Sequence, residues 1–128
     1  MKNYIHHITL TVSSAKRSVE WYSKVLVWKI LKQEKDYGYL SPDDGAFLLT
    51  LGEPRDYPIK ENKFDRNRTG LDHFAFEVET NEELKAIENR LQKAGIEMET
   101  GGITDDDFGG IAIFCFDPDG MKVEFHLK

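Results

Sequence analysis

HFAFEV, residues 73 to 78, sets a histidine at the head of an alternation of apolar and other side chains. Neighbouring side chains of a strand point to opposite faces, so Phe74, Phe76 and Val78 form one face and His73, Ala75 and Glu77 the other. The same design stands 66 residues earlier in HITLTV, residues 7 to 12. There Ile8, Leu10 and Val12 share a face, and His7, Thr9 and Thr11 share its opposite. A second copy of a strand at this distance marks a duplicated structural unit.

The segment after each strand repeats as well. Ala15, Val19, Tyr22 and Leu26 fall at helical spacing after the cap candidates Ser13 and Ser14. Leu84, Ile87 and Leu91 do the same after Thr80 and Glu83, which are spaced as a capping box, and Gly95 is placed to end that helix. Candidate strands come next: WKIL, YGYL and AFLLTL in the first half, then IEME, IAIFCF and MKVEFHL in the second. The turns PDDG, residues 42 to 45, and DPDG, residues 117 to 120, precede the last strand of each half, with Asp and Gly supplying tight-turn chemistry. Both halves therefore read strand, helix, strand, strand, strand. The expected class is α+β: one domain over residues 1–128, with modules at 1–52 and 71–128. The connection at 53–70 carries Pro54, Pro58 and charges of mixed sign, and reads as a solvated surface segment.

Composition removes several function classes. A net charge of -6 and a sequence with no basic run oppose a counterion-displacing grip on nucleic acid. No apolar run approaches the ~20 residues that span a bilayer, and the opening residues lack a signal-peptide core, so a cytoplasmic protein without membrane association is expected. Cys115, the single cysteine, lies in the apolar run IAIFCF and reads as a buried, inert thiol.

In MKVEFHL the alternation puts Lys122, Glu124 and His126 on one face and the apolar residues on the other. If the strands of both halves curve around a shared cavity, His7, His73 and Glu124 converge. Two imidazoles and a carboxylate on a rigid sheet make a facial donor set for one divalent first-row ion, leaving positions open for a small-molecule substrate. His6 points away from His7 unless the strand shifts by one residue, when the two exchange roles. His126 and Glu77 are candidates for proton transfer. The acidic run TDDD, residues 104 to 107, reads as a solvated loop. Aligning Gly45 with Gly120 sets Leu49 opposite Glu124 in the repeat.

HHITLTV, WYSKVL, LDHFAFEV and above all FDPDGMKVEFHL resemble the vicinal oxygen chelate superfamily: glyoxalase I, bleomycin and fosfomycin resistance proteins, methylmalonyl-CoA epimerase and extradiol dioxygenases. The resemblance implies paired βαβββ modules in an open, cup-shaped mixed sheet with the helices outside, often within a homodimer. It carries metal-ligand roles onto His7, His73 and Glu124, the ion being of the Zn, Ni, Mn, Fe or Co class. It implies an enzyme acting by metal chelation of neighbouring substrate oxygens, as a lyase, isomerase, thiol transferase or dioxygenase. The alternative within the family is a drug-binding protein without catalysis. Two positions depart from the family pattern. Leu49 stands where a glyoxalase carries a fourth, proton-moving carboxylate, for which Glu53 or Glu77 would be substitutes, and Val27 stands where glycine is common after the first helix.

Overall fold

A computed structural model describes residues 4–56 and 63–128. The chain divides into two compact units, residues 1–62 and 63–128, each built as a four-stranded mixed sheet with one helix. The middle of the 53–70 connection, residues 57–62, lies outside the described residues.

In the first unit, β1 (His7–Thr11) is followed by α1 (Ala15–Leu26), β2 (Lys29–Gln33), β3 (Tyr37–Ser41) and β4 (Leu48–Gly52), in sheet order β1-β4-β3-β2. Strand β1 runs parallel to β4, with Ile8 beside Leu49 and Leu10 beside Leu51. Those two leucines of β4, Leu40 and the α1 residues Ala15, Val19, Tyr22 and Val25 are almost wholly buried. Complete burial of each large aliphatic side chain contributes about 1.5–3 kcal/mol. The cap of α1 is double: Ser14 Oγ accepts from Arg17 N, and Glu53 Oε1 accepts from Ala15 N at 3.0 Å. Glu53 is thus engaged in capping a helix. At the other end Val27 adopts φ 57°, in the left-handed region that β-branched residues avoid.

The second unit repeats the plan with β5 (His73–Glu77), α2 (Asn81–Lys93), β6 (Thr104–Asp105), β7 (Ile111–Phe116) and β8 (Lys122–Leu127), in sheet order β5-β8-β7-β6. Thr80 Oγ1 accepts from Glu83 N, while Glu83 Oε2 accepts from Glu79 N, so the predicted capping box closes one residue ahead of the cap. Gly95 ends the helix at φ 66°, and Ile96 N donates to Leu91 O. Leu84, Ile87 and Leu91 join Val123, Phe125 and Ile113 in the buried set.

The expected strand IEME does not form. Met98 makes a single bridge to Cys115, after which Gly101 N donates to Met98 O and Thr100 Oγ1 bonds Gly102 O, turning the chain away. The edge strand comes instead from Thr104–Asp105, inside the acidic run read as a loop. Cys115 is fully buried, and burial pushes its thiol up to about 12.

Strand register also moves one expectation. His7 lies beside Leu48 and Thr9 beside Thr50, whereas His73 lies beside Lys122 and Ala75 beside Glu124. The position equivalent to Glu124 is therefore Thr50. Leu49 faces the buried side with 0 % exposure. The first turn is one residue longer: β4 begins three residues after Gly45, β8 two after Gly120.

Candidate metal centre

The DPDG turn aims the last strand. Asp117 Oδ1 accepts from Asp119 N and Met121 N, Gly120 takes φ 85° and donates to Asp117 O, and the chain enters β8 with its register set against both β5 and β7. Alternation then places Lys122, Glu124 and His126 on one face, level with His73, Ala75 and Glu77 of β5.

His73 and Glu124 meet there, with Nε2 of the ring 3.0 Å from Oε2 of the carboxylate. On its far side the ring contacts Asp72 Oδ1 through Nδ1 at 2.6 Å. A carboxylate on Nδ1 favours a proton there, so that in the neutral ring the Nε2 lone pair faces Glu124. That hydrogen bond is also what holds the Asp72 carboxyl below the usual range. A ring nitrogen and a carboxylate oxygen 3.0 Å apart are two donor atoms able to share one cation when the imidazole is neutral. Glu124 is 2 % exposed, and a buried carboxylate requires a counter-charge. The donor set therefore fits a divalent metal.

Around the pair, His73, Ala75, Glu77, Phe108, Glu124 and His126 line a depression of about 550 Å³. The ring of Phe114 stands edge-on to His73, and Lys122 Nζ lies over that same phenyl ring at 4.3 Å while bonding Glu99 Oε2 at 2.7 Å. The lysine bond lowers the Glu99 carboxyl.

Sequence patterning missed one neighbour, Asp106. Its Oδ1 accepts from Phe108 N at 2.7 Å and Gly110 N at 2.9 Å, and its Oδ2 lies 2.5 Å from His126 Nδ1. The backbone donor of Gly110, then that of Phe108 and the charge of His126, holds the Asp106 carboxyl low. The signal was an aspartate followed at short range by two glycines, the mark of a side chain folding back on its own loop. Its side chain is only 2 % exposed, so the solvated-loop expectation fails at this residue.

His7 belongs to the first unit, on the face carrying Thr9 and Thr50. Its Nδ1 is 3.0 Å from Nδ1 of His6, the rings meeting edge to face, and both residues are exposed. Of the three expected ligands, His73 and Glu124 are brought together within one unit. Glu77 and His126, the proton-transfer candidates, share their depression.

Residues 4–125 match the model of the Glyoxalase/Bleomycin resistance protein/Dioxygenase superfamily. The chain belongs to this family. A glutathione transferase, FosA, of Serratia marcescens is 27% identical over 99% of this chain and 82% of its own length. The catechol-2,3-dioxygenase of Bacillus subtilis is 32% identical over 96% of this chain, which spans 41% of that enzyme. Among solved structures, a glyoxalase/bleomycin resistance protein/dioxygenase domain from Frankia superposes with a TM-score of 0.81 at 28% identity, covering 99% of this chain and 92% of that one. The family assignment supports a metal-dependent enzyme acting on a small molecule, in a chain where no described helix is long and apolar enough to cross a membrane.

Proposed function

We propose that the protein is a divalent-metal enzyme transferring a thiol to a small, oxygen-bearing electrophile, with the ion held by His7 Nε2, His73 Nε2 and Glu124. The observation that carries this reading is the His73–Glu124 contact, 3.0 Å from Nε2 to Oε2 with Asp72 behind the imidazole. When bound, a divalent ion at these ligands would polarise a substrate oxygen and hold the negative charge developing on it. The residues of the chain do the rest. Asp72 fixes the imidazole orientation, Glu124 supplies a buried anionic donor, and Ala75 leaves the space above the pair open for substrate. Phe108 and Phe114 provide apolar walls, and Glu77 and His126 stand at the rim as groups able to hold a proton.

Transfer is favoured over a glyoxalase-type isomerisation because the repeat position equivalent to Glu124 is Thr50, whose hydroxyl cannot shuttle a substrate proton as a carboxylate does. Similarity to the Serratia transferase over 99% of this chain supports the same choice. A homodimer in the cytoplasm completes the proposal.

Elemental analysis checks it first: stoichiometric divalent metal in the wild type, and loss of that ion's share and of activity in His73→Ala. Thiol addition to a panel of small epoxides then tests the reaction, with Glu124→Gln expected to reduce turnover to background. Tight small-molecule binding that persists unchanged in Glu124→Gln, with no turnover in the wild type, would favour the drug-binding alternative.

A further inference from the structure

Glu124 does not spend both of its oxygens on His73. Oε2 faces His73 Nε2 at 3.0 Å, while Oε1 lies 3.6 Å from His126 Nδ1. Across from them sits Asp106 Oδ2, 2.5 Å from that same nitrogen. One ligand atom from each of Asp106, Glu124 and His126 falls within 4.8 Å of the other two.

Two side chains of this second cluster are buried, and the third, His126, is 19 % exposed. The side chains of Asp106 and Glu124 are 2 % and 3 % exposed. Asp106 is anchored from behind, since its Oδ1 takes the backbone protons of Phe108 and Gly110, which leaves Oδ2 directed into the cluster. Yet Asp106 Oδ2 and His126 Nδ1 are buried without a hydrogen bond to either. The two atoms face each other as a close charge pair at 2.5 Å, and neither has a further hydrogen-bond partner. Buried polar atoms without hydrogen bonds are rare and call for an ion or a water.

We propose that Asp106 Oδ2, Glu124 Oε1 and His126 Nδ1 form a second divalent-cation site, so that Glu124 bridges two ions with one oxygen each. Its place beside the first ion rests on the proposed His73–Glu124 centre. Two carboxylate oxygens and an imidazole nitrogen suit Mn²⁺, Fe²⁺ or Zn²⁺. The depression opens onto Glu124 and His126 beside Phe108, giving the ion an entry path and room for water. The loop Asp106–Gly110 then acts as a ligand-bearing arm closing over the last strand.

Manganese is the probe. The metal-stripped full chain is titrated with Mn²⁺ by calorimetry and its bound metal counted after desalting. Two ions per chain are expected in the wild type and one in Asp106→Asn, His126→Phe and His73→Ala. Asparagine keeps an Oδ1 acceptor for Phe108 N and Gly110 N, so the loop retains its anchor. Paramagnetic resonance gives an independent reading, with a broadened, coupled Mn²⁺ signal in the wild type and an uncoupled six-line signal in each variant. A single ion lost in His73→Ala but kept in Asp106→Asn and His126→Phe overturns this second site and leaves the proposed function standing. A single ion lost in Asp106→Asn but kept in His73→Ala supports the Asp106 site and overturns the His73 assignment instead.

Discussion

The two sheets share one plan and differ on one face. On the helix side, Ile8, Leu10, Leu49 and Leu51 of the first unit answer Phe74, Phe76, Val123 and Phe125 of the second. Opposite, the first unit carries His7, Thr9, Thr11, Leu48, Thr50 and Gly52, where the second carries His73, Ala75, Glu77, Lys122, Glu124 and His126. Packing constrains the buried face to stay apolar in both copies, since polar groups there go unpaired. The other face is free of that constraint, and its titratable side chains, His7 apart, all stand on the second copy. Duplication therefore supplies a scaffold, and the side chains on one register set the two copies apart.

The largest effect expected tests that register directly. Leu49→Asp places a charge in the first core and should cost about 3–5 kcal/mol of stability or prevent folding. Thr50→Glu, one residue on, should change stability by less than about 1 kcal/mol while giving the first sheet the carboxylate its repeat lacks. Chemical denaturation of the two variants separates the faces, and equal losses would refute the register.

A smaller effect concerns what stands behind each histidine. Asp72 contacts His73 through Nδ1, and at the equivalent place in the repeat His6 contacts His7, also through Nδ1. A carboxylate raises the basicity of an imidazole ligand more than a neutral ring does. Asp72→Ala should therefore weaken metal binding by about 10–100-fold, the usual cost of losing such a partner. His6→Ala should weaken it less, and competition against a chelator measures both.

The smallest effect lies at the helix exits. Both helices end at a left-handed residue, α1 at Val27 with φ 57° and α2 just beyond Ala94 at Gly95 with φ 66°. A left-handed L-residue costs about 1–2 kcal/mol, partly offset by the greater freedom glycine has when unfolded. Val27→Gly should thus raise stability by about 0.5–1 kcal/mol, and Gly95→Val should lower it by more. Val27 is exposed, so thermal melting reads backbone strain with little change in packing.

The fold was open to reading because its evidence is periodic. Alternation in HFAFEV and HITLTV, helical spacing from Ala15 and Leu84, and the paired turns each depend on neighbours in sequence. The same alternation placed His73 and Glu124 on matching faces, and the family comparison agrees with the class it implied. Three things depended on longer geometry. IEME alternates like a strand, yet glycines at 101 and 102 let the chain turn before it pairs. Leu49 was set opposite Glu124 by matching turn glycines, and a single extra residue after Gly45 defeats that match. Asp106 joins the site only because its loop folds back through Phe108 and Gly110 to meet His126 on β8, a contact that no local period encodes.

Cys115 sits on the helix-side face of β7, level with Val123. With its thiol pushed up to about 12 by burial, the group keeps its proton at neutral pH. The chain's sole sulfhydryl is thus shielded from solvent and held in its unreactive, protonated form.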